Sequence, residues 1–297
     1  MIPPLVSVRI ITYNHKKYIA QCIEGVLMQR TDFPIEIIIG EDCSTDGTRE
    51  IVADYQEKYP HRLKVIFSPT NLGMSKNLSQ VNQACRGKYA AICEGDDYWI
   101  DPLKLQKQVD FMEAHPDCTL CFHNAFVVNE ENPHLHLFIP FELPSILAFA
   151  EVSRVGIPTA SRLMRSEAIS SLPEWRKEVW AGDLLAALWC AHLGNVGYLN
   201  ECMSVYRRHA EGFTAKISAT LAKRFLGVID LYQRFDQETG YRYTGVIQLQ
   251  IERQRDSIRR AELGWFYFLL HPHRTIVRLI QRMREFISYS RSRGPNR

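Results

Sequence analysis

The first third of the chain alternates short β-branched apolar runs with stretches whose apolar residues recur at helical spacing. Val6 to Thr12 is a compact run suited to a buried first strand, and Tyr18, Ile19, Cys22, Ile23 and Val26 then share one helical face. Ile35 to Ile39 predicts a second strand, GEDCSTDGT a turn, and Ile51, Val52 and Tyr55 a helix. Leu63 to Phe67 predicts a third strand, Asn71 to Ala84 a loop and helix, and Tyr89 to Cys93 a fourth strand that runs straight into EGDD. Such alternation predicts βαβ units and a mixed, mostly parallel sheet flanked by helices, an α/β fold.

Beyond residue 128 the pattern changes. NEENPHLHLFIPFELPS is rich in Asn, Pro and His and reads as an irregular crossover, after which Ile157 to Asn200 mixes strand and helix. A helix over Leu184 to Leu193 stops at Gly194, and from about 216 onward Leu221, Phe225, Val228 and Leu231 recur at near-helical spacing. The expected division is an α/β domain over 1–215, with halves at 1–128 and 129–215, followed by a helical region over 216–297.

In open α/β sheets, ligands bind outside the carboxyl ends of the strands, where loops converge and helix N-termini point. Thr12-Tyr13-Asn14, Glu41-Asp42 and Asp96-Asp97 all fall at such ends, so three polar clusters are expected on one rim.

Composition narrows the function. With 46% hydrophobic and 23% charged residues, the chain has the make-up of a globular protein, and a net charge of +3 is far from the dense basic stripe of a nucleic-acid binder. No apolar run approaches the roughly 18 residues of a spanning helix, and MIPPLVSVRIITYN lacks a basic region and cleavage site, so a cytoplasmic location is expected. The eight cysteines are scattered and read as reduced, packed thiols; Cys118 and Cys121 form a lone CxxC, a weak zinc pattern.

The most informative segment is AICEGDDYWIDP. A buried strand delivers Asp96 and Asp97 to its tip, where adjacent carboxylates repel each other unless a cation or hydrogen-bond donors offset the repulsion. Carboxylates together with substrate phosphates are common ligands of Mg²⁺ or Mn²⁺. A solvated turn built on Gly95 is the plainer alternative.

Four ordered segments then become specific: VSVRIITYNHKKYIAQCIEGVLMQ, IEIIIGEDCSTDGT, NLGMSKNLSQ and GKYAAICEGDDYW. In order and spacing they resemble the nucleotide-binding half of the family 2 glycosyltransferases, enzymes of GT-A fold, over residues 5 to 125, more loosely over 150 to 210 and not beyond. The resemblance implies an inverting transfer of sugar from a nucleotide-diphosphate donor to a carbohydrate or lipid-linked acceptor, with bacterial surface polysaccharide assembly as the setting by analogy. It implies that Thr12, Tyr13 and Asn14 wall the nucleobase pocket, Tyr13 offering a stacking face. Glu41 and Asp42 stand at the acidic pair that meets a pyrimidine, Glu replacing the commoner Asp; a UDP or dTDP donor is therefore expected. Lys76 is either a diphosphate contact or a solvated helix lysine. Asp46 reads as a helix cap.

EGDD matches the family's DxD-like motif, which implies Asp97 as metal ligand and Asp96 on donor hydroxyls. In WAGDLLAALWCAHLG, Asp183 is implied as the general base that takes the acceptor proton, although Gly182 replaces the usual Glu and an Asp there is also a good helix cap. SVYRRHAEGFT implies His209 as a second metal ligand and Arg207 or Arg208 as a diphosphate contact. Trp180, with Trp99 and His123, is a candidate lining residue of the sugar or acceptor site, or else core.

Arg274 to Arg297 places Ile276, Ile280, Met283 and Ile287 on one helical face and Arg274, Arg278 and Arg282 opposite, which suits either an anionic membrane surface or internal packing. Two rival functions stay open. A nucleotidyltransferase would share the carboxylate-bound metal but should carry a glycine-rich basic loop where TYNHKKY stands. A non-catalytic nucleotide-sugar-binding protein is suggested by Gly182.

Overall fold

The computed structural model describes residues 3–132, 134–212 and 221–263. The chain divides into two compact units, one of Met1–Phe138 with Pro144–Gly212 and one of Ile139–Leu143 with Phe213–Arg297.

The first unit opens with β1 (Val6–Thr12), α1 (Ile19–Leu27), β2 (Ile35–Glu41), α2 (Thr48–Lys58), β3 (Leu63–Phe67), α3 (Met74–Ala84) and β4 (Tyr89–Ile92). β5 (Tyr98–Trp99), α4 (Lys104–Ala114) and β6 (Cys118–Asn129) follow, then β7 (His136–Leu137), β8 (Ile146–Leu147) and α5 (Phe149–Val152). A 3₁₀ turn at Thr159–Ser161 leads into β9 (Leu163–Arg165) and α6 (Ser166–Ser170), and the unit closes with α7 (Gly182–Leu193) and β10 (Asn195–Arg208). The short strand β7 stands where the composition predicted only an irregular crossover, and β8 follows directly after that segment; both are two-residue pairings, too short to leave a periodic signal.

One mixed ten-stranded sheet results, in the order β3-β2-β1-β4-β9-β6-β10-β5, with β7 on β6 and β8 on β10. β1 lies parallel between β2 and β4, and β3 continues the parallel side. β9 runs antiparallel to both β4 and β6, while β6 and β10 are parallel to each other. All seven residues of β1 are buried, as a central strand covered on both faces requires, and its aliphatics join Ile19, Cys22, Ile23 and Val26 of α1 in the main core. The parallel register places the ends of β1 and β2 together, with Thr12 opposite Glu41.

In the second unit, α8 (Leu221–Glu238) and α9 (Thr244–Leu263) pack on each other through Leu231, Tyr232, Phe235, Ile247 and Ile251. Gly240 and Tyr241 turn the chain between them with φ near 62° and 61°. Among the described residues no helix is long and apolar enough to cross a membrane. The basic segment Arg274 to Arg297 lies outside the described residues.

Candidate functional site

The expected rim forms. At the end of β1, the carbonyl of Thr12 accepts the Asp42 N–H at 3.1 Å and the carbonyl of Ile11 accepts the Gly95 N–H at 3.0 Å, which stitches three strand ends together. A Cβ on Gly95 would lie 2.7 Å from His15 Nδ1 and 2.8 Å from Thr12 Oγ1, so EGDD can lie on β1 only with glycine there. β10 closes the site from the other side. Register shifts near Cys202 in its pairing with β6 precede the stretch that carries Arg207 to the acidic turn.

Arg207 binds that turn through backbone and side chain. Its N–H donates to Asp97 Oδ1 at 2.9 Å, its Nη1 to the Asp96 carbonyl at 2.6 Å, and its Nη2 to Gln21 Oε1, while its guanidinium lies over the rings of Tyr98 and Tyr18 at 4.3 and 5.1 Å. Both terminal nitrogens of Arg207 thus donate to the protein, whereas its neighbour Arg208, the other residue expected at the diphosphate, is exposed. Next in the chain, His209 sets its Nε2 3.2 Å from Asp96 Oδ2, and His15 Nε2 approaches the same oxygen at 3.9 Å.

The two aspartates differ sharply. Asp97 is 1% exposed, and its Oδ2 is buried without a hydrogen-bond partner. Burial, then the charges of Asp96 and Glu94, pushes its carboxyl well above the usual range. Burial also acts on Asp96, but the His209 hydrogen bond and the His15 charge outweigh it and hold this carboxyl low. Glu94 is pushed up to about 8 by burial and by Asp96 and Asp183. Glu94 and Asp97 thus carry charge only at a cost, one that a dication would relieve, and the unpaired Asp97 Oδ2 is a candidate donor to it. Among the described residues no ready-made cluster of three or more His, Cys, Asp or Glu ligands is present, so a cation placed here would need oxygens of a bound ligand as well.

The first acidic pair is engaged with its own loops. Glu41, wholly buried, accepts the Ser44 N–H at 2.7 Å and Arg49 Nη1 at 3.0 Å; Asp42 accepts the N–H groups of Leu72 and Gly73 at 2.7 and 2.9 Å. Both side chains brace the loops around the rim. Asn14, at φ 56°, receives the Thr45 N–H on Oδ1, and Tyr13 is 40% exposed, leaving ring face uncovered. Asp46 accepts Thr48 N–H and Oγ1 on one oxygen and the Lys16 N–H on the other, so it joins the first turn of α2 to the loop after β1. Lys76, exposed on α3, lines a cavity of about 510 Å³ together with Ser79, Gln80 and Lys177.

Asp183 is the second residue of α7, whose N-cap is Ala181 with no side-chain capping bond. Its carboxylate is 54% exposed and lies 3.8 Å from Arg162 Nη2, so it is not consumed as a cap. Trp180, just before, is half-buried. The other two aromatic candidates are core: Trp99 is 1% exposed and donates to the Ala160 carbonyl at 2.7 Å, and His123 is wholly buried with Nδ1 2.6 Å from its neighbour's carbonyl. Sequence reasoning missed His15, Glu94 and Arg162. The first two stand inside motifs already singled out, whereas nothing near Arg162 in the sequence marks it.

A Rossmann-like half sheet ending on an acidic turn, closed by a second half that returns a histidine to it, defines a GT-A glycosyltransferase. The chain belongs to glycosyl transferase family 2, which residues 7–171 match. It is 38% identical over 213 residues to an uncharacterized protein of Mycobacterium tuberculosis, an alignment covering 69% of this chain but only 59% of that one. A putative teichuronic acid biosynthesis glycosyltransferase, TuaG of Bacillus subtilis, is 31% identical over 69% of this chain and 79% of its own. Among solved structures, S. aureus TarS 1-349 in complex with UDP-GlcNAc superposes with a TM-score of 0.69 at 20% identity, covering 87% of this chain and 74% of that one. The mannosyltransferase PcManGT from Pyrobaculum calidifontis, in complex with GDP-Man and Mn²⁺, gives 0.60 at 14% identity over 97% and 84%. At these identities the structural likeness speaks to the fold.

Proposed function

We propose that the chain transfers a sugar from a nucleotide-diphosphate donor, of UDP or dTDP type, to a carbohydrate or lipid-linked acceptor in surface polysaccharide assembly, with inversion and with the help of Mn²⁺ or Mg²⁺. The observation that supports this most is the meeting of Asp96, Asp97 and His209 at the sheet rim, with one buried carboxylate oxygen left unpaired. Asp96 Oδ2 and His209 Nε2 would hold the cation, with Asp97, the ligand expected alongside His209, carried on the same turn; Asp96 was expected on donor hydroxyls instead. A mixed oxygen and imidazole set with phosphate oxygens suits these ions. When bound, the ion offsets the charge that builds on the departing nucleoside diphosphate.

The remaining groups are the protein's own. Tyr13 presents its ring to the base beside the acidic pair implied to meet a pyrimidine, and Glu41 and Asp42 also keep the loops beneath Thr12 and Asn14 in place. Lys76 and Arg208 face the diphosphate as mobile cations. Asp183 takes the proton of the acceptor hydroxyl as that oxygen attacks the anomeric carbon; its exposed, uncapped carboxylate is free to do so. The TuaG relative and the four motifs support the polysaccharide setting, and the reaction would take place on the cytoplasmic side, at or near the membrane.

A thermal-shift screen of nucleotide sugars with and without Mn²⁺ tests the reading, since a ligand selective for the native state raises the melting temperature. A UDP- or dTDP-sugar should raise it more with the metal, and product analysis should then find nucleoside diphosphate. Formation of nucleoside triphosphate and sugar 1-phosphate on adding pyrophosphate would instead identify a nucleotidyltransferase, and no response to any nucleotide sugar would remove the reading's support.

A further inference from the structure

Arg162 directly follows the 3₁₀ turn Thr159–Ser161 and is only 3% exposed, an unusual place for a guanidinium. Its Nη1 donates to the backbone carbonyl of Asp183 at 2.7 Å, its Nη2 donates to the carbonyl of Ile157 at 2.7 Å, and its Nε is buried without a partner. Nη2 also lies 3.8 Å from Asp183 Oδ2. Burying a cation on two carbonyls costs several kcal/mol after relaxation, more than two neutral acceptors return, so an aliphatic residue would serve packing better. What it gains here is the company of acids: Asp183 and then Glu94 are the acidic charges that act on it most strongly. The same turn faces the acidic tip from the other end, where the Thr159 side chain helps to hold down the Glu94 carboxyl that burial raises. The segment from Ile157 to Arg162 therefore couples the start of α7 to the turn after β4.

We infer that Arg162 is a positioning residue for glycosyl transfer, a buried guanidinium that fixes where α7 begins and so sets the place of the Asp183 carboxylate relative to EGDD. This rests on Asp183 acting as the base. Arg162 touches neither donor nor acceptor and acts only through the backbone oxygen and carboxylate of Asp183. A planar fork holds both carbonyls at once, which a lysine cannot reproduce.

The test is a double-mutant cycle on the full chain, with UDP-GlcNAc as the first donor probe, water as acceptor and UDP release as readout. Arg162→Gln and Arg162→Lys should bind Mn²⁺·UDP with less than threefold change, yet lose roughly 10- to 100-fold in kcat, the scale of a misplacement near 1 Å. In an Asp183→Asn background, Arg162→Gln should cost nothing further, because the group it positions is already gone. A kcat unchanged in Arg162→Lys and Arg162→Gln, or a full additional loss on top of Asp183→Asn, overturns the proposal. If Arg162→Gln does not fold, the cycle is run with Arg162→Lys alone and the same outcomes decide. Retention of full turnover by Asp183→Asn itself would instead overturn the base assignment, a separate failure.

Discussion

Nε2 of His209 lies 3.2 Å from Oδ2 of Asp96, two groups 113 residues apart in the chain. Two donor atoms on one metal ion, each bonded at about 2.1 Å, are separated by about this distance when adjacent in the coordination shell. His209→Ala and Asp96→Asn should each weaken Mn²⁺ binding at least tenfold, measured by electron paramagnetic resonance titration of free Mn²⁺ in the presence of UDP. An unchanged affinity in both variants would mean that the pair is a structural hydrogen bond only.

Asp97 should show the opposite sign in stability. Its carboxyl is held protonated in the metal-free protein to a higher pH than in the unfolded chain, chiefly by burial. The folded state then binds the extra proton, so stability falls as pH rises from the unfolded value of about 4 toward the folded one. Asp97→Asn removes that loss while still accepting the Arg207 N–H. The variant should melt higher than the native protein at pH 7 without metal, and should bind Mn²⁺·UDP more weakly; a lower melting temperature would contradict the assignment.

The rim was legible because its elements announce themselves. A run such as VSVRIIT has few alternatives to a central strand, and a strand end fixes where Thr12, Asp42 and Asp96 must lie. Partners of the side chains were not legible. Glu41 is spent on Ser44 and Arg49, and Arg207 on the EGDD turn, because the loops that claim them fold back from other parts of the chain. The His209–Asp96 pair depends on the reach of β10, which no local pattern specifies. Arg162 was invisible for the same reason: a buried arginine differs from a surface one only in what surrounds it.

Lys104 makes a further case of chemistry hidden in the core. It is wholly buried, its Nζ sits 4.0 Å from the centroid of the Trp99 ring, and it donates to neutral Gln108 at 2.6 Å. Burial pulls its pKa down to about 7. Between that value and the unfolded value near 10.4, the unfolded chain holds the extra proton, so this residue makes stability rise with pH across that window and contributes no slope below it. Lys104→Met should therefore be more stable than the native protein by a few kcal/mol at pH 7, with the gap closing toward pH 10. The thiols of Cys93 and Cys121, which burial pushes up and the Lys104 charge pulls down, titrate in the opposing sense and lose that pull in the variant. Urea melts at pH 7, 8.5 and 10 check it; a gap independent of pH would show that Lys104 is not neutralised by folding.

Gly25 offers a test in which local and tertiary preferences conflict. It lies inside α1, where alanine is favoured over glycine by about 1 kcal/mol, so propensity alone predicts that Gly25→Ala stabilises. A Cβ at that position would stand 2.8 Å from the Trp99 carbonyl oxygen and 2.9 Å from its nitrogen, both backbone atoms that cannot rotate away. α1 and β5 would have to separate, and β5 is the strand entered directly from Asp97. The clash should outweigh the helix gain, lowering stability by about 1–3 kcal/mol, the usual cost of overpacking. Since the displaced strand is anchored to the acidic turn, Mn²⁺·UDP affinity should fall with it, measured on the folded fraction at low temperature. Gly25→Ala with undiminished stability would show that the α1 and β5 contact can relax freely, and would weaken the view that the carboxylates are held in place by the packing behind them.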